Sequence, residues 1–302
     1  MNRRVVRAPS HGWAPSSAPA PDAGRDDSPS LLVVGSCNMD LTARTQRLPQ
    51  AGETVIAQSF NQRSGGKGSN QAVAAARQGL SVSLVSAVGD DPFGAEILSG
   101  LVDEGVDVSH VVTVPGPSGI AMIVVDDAGE NTIVVSPGAG HHVTLEGCDL
   151  RAPDAVLAQL EIPVELVADA AQQTSGMFCL NASPFAALPA SLEQRCDLII
   201  VNETEYEAGR AQLDAARLVC VTLGAAGAKL MERGRQVASA PSPAVDAIDT
   251  VGAGDAFVAA LVAEILRTED LAGALEIACR AGALATTRRG AQASLPYRRE
   301  LT

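Results

Sequence analysis

Two glycine-bearing segments carry the residue types from which phosphoryl chemistry could be built. The first, Asp249-Thr250-Val251-Gly252-Ala253-Gly254-Asp255, runs straight into an apolar stretch at 256–261. Its glycines free the backbone at the mouth of a predicted helix, where unpaired N–H groups and the positive end of the helix dipole can meet an anion. An acidic residue inside such an anion trap has two readings. Asp255 can be a plain helix-capping carboxylate. It can also take a proton from a hydroxyl while the neighbouring amides hold the phosphoryl group which that hydroxyl attacks. The second segment, Ser64-Gly65-Gly66-Lys67-Gly68-Ser69-Asn70-Gln71, leads into an Ala-rich helical stretch. It is not a Walker A loop, because that spacing needs Gly where Asn61 stands and Ser or Thr where Gly68 stands. A dinucleotide fingerprint is also missing, since Phe257 occupies the place of the third glycine after Gly252 and Gly254.

Together, a di-glycine motif with Asn70 near the start and a Gly-Ala-Gly-Asp motif near the end resemble the paired signatures of the ribokinase-like (PfkB) carbohydrate kinases. Further segments occur in that family's order and narrow the resemblance to its ribokinase branch. They are Gly35-Ser36-Cys37-Asn38-Met39-Asp40, Pro49-Gln50-Ala51-Gly52-Glu53-Thr54, Gly89-Asp90-Asp91-Pro92-Phe93-Gly94, Asn202-Glu203-Thr204-Glu205, Thr222-Leu223-Gly224 and Arg288-Arg289-Gly290-Ala291-Gln292-Ala293-Ser294. They cover residues 31 to about 300.

The resemblance implies roles position by position. Asp255 matches the catalytic base, and the amides of Gly252, Ala253 and Gly254 match the anion hole for the transferring phosphoryl group. Asn38, Asp40, Gly66, Lys67, Gly68, Asn70 and Glu161 match positions that hold the sugar, together with Asp255. Asn38 and Asp40 taken alone also suit a turn or a cap. Asn202, Thr222, Gly224, Ala225, Ala226, Gly227, Gly254 and Cys279 match positions lining ATP. Asn202 and Glu205 match the pair that positions Mg²⁺, largely through water. Their spacing alone equally fits a helix cap with its acidic partner. Asp249 and Ser294 side chains, with the carbonyls of Val251, Ala285, Arg288 and Gly290, match a K⁺ site beside the anion hole. The implied reaction is ATP-dependent phosphorylation of D-ribose at its 5-hydroxyl. A related PfkB kinase acting on deoxyribose, another sugar or a nucleoside, and a degenerate sugar-binding homologue without turnover, stay open. The missing fingerprint disfavours an NAD-linked oxidoreductase.

Positioning these residues requires an alternating α/β chain. Apolar β-branched runs at 31–34, 82–85, 155–160, 198–201 and 218–221 alternate with helix-like stretches at 68–78, 93–103, 164–173 and 203–216. That alternation predicts a mostly parallel sheet with helices on both faces, a three-layer α/β sandwich. The stretch 53–60 and the pair 119–125 and 131–135, joined by a turn-rich segment, read as an antiparallel excursion. In the family such strands form a small lid over the sugar, and two lids clasp into a homodimer. A hairpin is expected around Gly234, and helix from 253 to about 286. Relative to the family, the sixteen residues 206–221 leave room for a single helix, 142–153 is short, and the chain stops at Thr302 without a closing helix. These differences fall on the nucleotide half.

Composition agrees with a compact enzyme. In 302 residues, 46% apolar content is ample for a core. A net charge of −13, with Lys67 and Lys229 as the only lysines, argues against a nucleic-acid partner. The cysteines at 37, 148, 179, 196, 220 and 279 show no metal-ligand or disulfide spacing, so reduced thiols in a cytoplasmic protein are expected. No apolar run approaches the roughly 18 to 20 residues that span a bilayer. Residues 1–30 are rich in Pro, Ala and Ser, with Arg3, Arg4 and Arg7 early and Trp13 among them, and lack a secretory apolar core. They read as a disordered tail, with a transit peptide as the alternative. The adjacent His141 and His142 read as part of a turn, not as a metal site.

Overall fold

The structure, a computed structural model, describes residues 28–301. The expectation for the N-terminal tail, Trp13 included, therefore lies almost wholly outside the described residues.

In chain order the elements are β1 (Ser30–Val34), β2 (Asn38–Arg44), β3 (Ser59–Gly65), α1 (Lys67–Arg77), β4 (Ser81–Gly89), α2 (Pro92–Asp103), β5 (Asp107–Val114), β6 (Gly119–Val125) and β7 (Asn131–Ser136). There follow β8 (Ala155–Gln159), α3 (Val164–Gln173), β9 (Met177–Asn181), α4 (Ala190–Arg195), β10 (Leu198–Asn202), α5 (Glu203–Leu213), β11 (Val219–Thr222), β12 (Ala228–Glu232) and β13 (Arg235–Ala240). The chain closes with α6 (Ala253–Ile265), α7 (Leu271–Ala285) and α8 (Ala291–Ser294).

A nine-stranded sheet runs in the order β13-β12-β11-β10-β9-β8-β1-β4-β5 and is parallel except for the terminal β12–β13 hairpin. Strand alternation explains its burial on both sides. Leu31 and Val33 of β1 face a core built with α1, α2, α6 and α7, while Leu32 and Val34 face a second core built with α3, α4 and α5. This is the three-layer α/β sandwich expected from the sequence. The chain builds β1, β4 and β5 in one direction and then returns to build β8 through β11 on the other side of β1. The order therefore reverses between β1 and β8, and at such a switch point the carboxyl ends of neighbouring strands open a ligand crevice.

A second, four-stranded sheet has the order β3-β2-β6-β7. Its make-up corrects two expectations. The lid strand placed at 53–60 is Ser59–Gly65 instead, and residues 53–57 carry no regular structure. The strand has one large apolar residue, Phe60, so periodicity could not place it; pairing along all of β2, from Asn38 opposite Gly65 to Arg44 opposite Ser59, does. Asn38 and Asp40 lie on β2 itself, not on a turn. The helical region from 253 to 286 is two helices, interrupted where Asp270 accepts from the amides of Ala272 and Gly273 and caps α7. One helix, α5, occupies the shortened span before β11, and β12 and β13 form the hairpin expected around Gly234. His141 and His142 end a single 3₁₀ turn.

Candidate active site

The carboxyl edge of the large sheet gathers the residues singled out by the sequence. Ser36 and Asn38 follow β1, Glu161 follows β8, Asn202 ends β10, Thr222 ends β11, and α1 and α6 begin there. Asn38 and Asp40 come from the small sheet, which joins the large one directly after β1.

The loop entering α1 is held by close backbone approach. A Cβ on Gly68 would lie 2.6 Å from Gly35 carbonyl carbon and from the Ser36 nitrogen, so no larger residue fits. A carboxylate oxygen of Glu161 accepts from the Lys67 amide (3.0 Å) and from the Ser36 hydroxyl, fixing the α1 N-terminus beside the β1 and β8 ends. Next to it, Asp40 sits against the backbone of Gly65, where a Cβ would meet its carboxylate.

Asp255, on the first turn of α6, is 8% exposed. Its Oδ2 accepts from Asn70 Nδ2 (3.0 Å) and its Oδ1 from Gln71 Nε2 (2.9 Å). Burial raises its pKa above the usual carboxylate value, against the opposing pull of Lys67 and the two amide donors; Glu161 adds to the rise. Asp40 is pushed up to about 7, by burial first and then by the negative charges of Glu161 and Asp255. Three carboxylates thus converge on one crevice, and Asn70 Oδ1 is buried there without a partner among the described residues.

At the mouth of α6, Gly252 takes φ +82°, a left-handed turn in which a Cβ would come within 2.8 Å of the Ala291 carbonyl. Ala253 N–H donates to the Thr250 carbonyl (3.3 Å), whereas the amides of Gly252 and Gly254 have no acceptor among the described residues. Those two donors and the helix dipole remain free for an anion. The neighbouring loops are tied together: Asp249 accepts from the amides of Val251 (3.1 Å) and Gly290 (2.8 Å), and Ser294 Oγ donates to the carbonyls of Ala291 (2.8 Å) and Val251 (3.4 Å). The Ala285 carbonyl accepts from the Arg288 amide, and the Arg288 side chain turns away to Glu300.

The residues expected from the sequence to line a nucleotide are placed differently. Asn202 and Glu205 form a complete capping box on α5, each side chain accepting from the other's amide at 2.8 Å. Gly224, Ala225 and Ala226 form a 3₁₀ turn after β11, and Gly227 leads into β12. Cys279, buried on α7, donates its thiol to the Ala240 carbonyl at the end of β13, level with Thr222 across the β11–β13 ladder, and burial pushes its pKa up to about 11. Among the described residues no cluster of three or more His, Cys, Asp or Glu is arranged for a metal ion.

Sequence reading missed the polar chain behind Asp255. Gln71 lies within the di-glycine motif with no spacing that marks it, and Gln159 and Asn181 end apolar strands, where a lone amide is the only signal.

Residues 28–298 match the profile of the pfkB family carbohydrate kinases. Among curated relatives, the ribokinase of Schizosaccharomyces pombe is 34% identical over 306 residues, covering 88% of this chain and 95% of that one. The deoxyribokinase of Salmonella typhi is 33% identical over 292 residues, covering 88% and 95%. The structure of Arabidopsis thaliana ribokinase complexed with ribose and ATP superposes with a TM-score of 0.82 at 28% identity, over 91% of this chain and 97% of that one.

Proposed function

The chain belongs to the pfkB family of carbohydrate kinases, and from that membership we propose that it is a ribokinase, converting D-ribose and ATP to D-ribose 5-phosphate and ADP. The observation that carries this reading is the buried Asp255 carboxylate at the head of α6, beside the unengaged amides of Gly252 and Gly254. Asp255 accepts the proton of the 5-hydroxyl as its oxygen forms the new bond to the γ-phosphorus and the bond to the ADP oxygen breaks. The rise in its pKa moves a carboxylate toward the working pH, where a base is most effective. The free amides meet the charge that develops on the phosphoryl oxygens. Sugar hydroxyls would donate to Asp40 and to the orphaned Asn70 Oδ1, with Asn38, Glu161 and the Gly66-Lys67-Gly68 backbone completing the pocket.

ATP would lie along Asn202, Thr222, Gly224 to Gly227 and Gly254. One carboxylate and one amide, already sharing a capping box, are too few for an all-protein cage, which fits Mg²⁺ held mainly by water and phosphate. That ion would neutralise triphosphate charge. The oxygen-rich loops around Asp249, Val251, Ala285, Arg288, Gly290 and Ser294 suit K⁺, which would stiffen the Gly252 to Gly254 amides; replacing K⁺ by Na⁺ is expected to lower activity, and indifference would remove that site.

The small sheet supports a homodimer. Ile133, Val134 and Val135 are 52, 54 and 51% exposed on successive positions of β7, so both faces of the lid present apolar side chains that one copy leaves uncovered. Val135→Glu should shift sedimentation toward the monomer. Six free cysteines, five of them buried, fit a reducing cytoplasm. No helix among the described residues is long and apolar enough to cross a membrane.

An ADP-release assay with Mg²⁺ and K⁺ against ribose, deoxyribose, fructose and adenosine tests the reading. Preference for ribose is expected. Preference for deoxyribose would favour the activity borne by the Salmonella typhi relative, and no turnover from folded protein would point to a sugar-binding homologue.

A further inference from the structure

Behind Asp255 runs a chain of side-chain amides that the reaction does not itself require. Gln71 lies on α1 and is fully buried, and each of its polar atoms is committed. Its Oε1 accepts from Gln159 Nε2 at 2.7 Å, while its Nε2 donates to Asp255 Oδ1 at 2.9 Å and to Asn181 Oδ1 at 2.8 Å. Asn181 in turn donates to the Ile200 carbonyl at 3.2 Å, which fixes its own Oδ1 as an acceptor. The direction of every amide is therefore set by its neighbour, starting from a main-chain carbonyl in the middle of the large sheet. At the far end Gln159 is clamped, because its Oε1 abuts Gly35 so closely that a Cβ there would stand 1.9 Å away.

Three buried amides are a poor way to fill a core, since each must find partners or bear the cost of desolvation. The Gln159 Oε1 has no partner among the described residues. An apolar trio would pack the same space without that penalty. What the amides supply and an apolar trio could not is a donor aimed at one oxygen of Asp255.

We propose that Gln71, locked by Gln159 and Asn181, is a positioning residue that holds the Asp255 carboxylate in the orientation and ionisation state in which it accepts the substrate proton. The inference rests on Asp255 being the base. It acts alongside the charges that face Asp255 from the surrounding elements: Lys67 from α1, which favours the ionised form, and Glu161 and Asp40 from beyond β8 and from β2, which oppose it. The Gln71 donor stabilises the carboxylate, so its loss must raise the Asp255 pKa further.

The test is the pH dependence of kcat with ribose and Mg–ATP for the native protein, Gln71→Met, Gln159→Met and Asp255→Asn, each checked by thermal melting. Methionine keeps length and helix propensity while removing the amide. In Gln71→Met the acid limb of kcat should move to higher pH by about one unit, the scale of a hydrogen bond to a charged group. Gln159→Met should move it the same way by less. The limb contributed by Asp40 is common to these proteins, so the difference reports Asp255. A fall in kcat with the limb unmoved would overturn the proposal and leave Gln71 as packing; if Gln71→Met does not fold, the limb of Gln159→Met decides in the same way. Asp255→Asn separates the two levels: near-native turnover there removes the base itself, whereas lost turnover with an unmoved limb in Gln71→Met removes only the positioning role.

Discussion

Asp255 sits sealed between Asn70 and Gln71, whereas Asn202 and Glu205 stand at the open mouth of α5 and bond to each other. The acceptor half of the crevice draws buried side chains from α1, β8, β9 and α6 into one hydrogen-bonded unit, with the Asp40 carboxylate of β2 coupled to it through charge. The nucleotide half offers a capping box, a 3₁₀ turn and a hairpin edge, most of it backbone or half-exposed. Under the proposed function, the contrast follows from what each half would hold. A neutral sugar brings no charge, so its recognition and the activation of its hydroxyl depend on donors and acceptors kept dry and fixed. A triphosphate arrives with its own charge, its own metal and its own water, and a surface of amides and a single carboxylate suffices to orient it.

The largest expected effect breaks the acceptor half at its centre. Asp255→Asn keeps the size of the side chain and a hydrogen-bonding terminus but cannot take a proton, so kcat should fall by about 10²- to 10⁴-fold while ribose binding, read by calorimetry, persists. A loss no greater than that from changes at Asn202 or Glu205 would erase the distinction between the halves.

The next effect is on pH. Asp40 is held up to about 7 by burial and by Glu161 and Asp255. Its folded pKa exceeds the ordinary 3.8, so its contribution to stability is complete below that value and lost as pH rises toward 7. Under the proposed function a sugar hydroxyl donates to Asp40, and the ionised carboxylate is the stronger acceptor. The KM for ribose should therefore rise, by up to about tenfold per unit, as pH falls below 7 and level off above it, and ribose should raise the melting temperature more at pH 8 than at pH 6. Asp40→Asn should flatten that dependence. A KM for ATP that followed the same curve would mean that the two halves titrate together.

The halves also differed in how far their residues could be read from the chain. Asp255, Asn70, Gly252 and Gly254 are legible because glycine-rich loops ahead of helices leave a spacing signature, and the large sheet is legible because buried parallel strands are continuous apolar runs. Ser59–Gly65 is not legible because a strand of the small sheet that neither core covers needs no apolar period; its place comes from pairing with β2. The amide chain of Gln71, Gln159 and Asn181 is assembled from three elements far apart in sequence, and nothing local marks residues whose partners are chosen by the fold.

The smallest expected effect lies in the nucleotide half, where one residue has two jobs that a pair of substitutions can part. Glu205 caps α5 by accepting from the Asn202 amide, and under the proposed function it also lends a charge to the Mg²⁺ shell. Glu205→Gln keeps a carbonyl oxygen for the cap and loses only the charge. Its melting temperature should match the native protein, and the Mg²⁺ concentration giving half-maximal activity should rise several-fold. Glu205→Ala loses both, with an added cost of about 1 kcal/mol to the cap. Because solvent and phosphate can replace a single exposed oxygen, neither variant should lower kcat at saturating Mg²⁺ as Asp255→Asn does. If Glu205→Gln were as inert toward Mg²⁺ as toward melting, the residue would be a cap alone, and the open half would hold its metal through water and phosphate without this carboxylate.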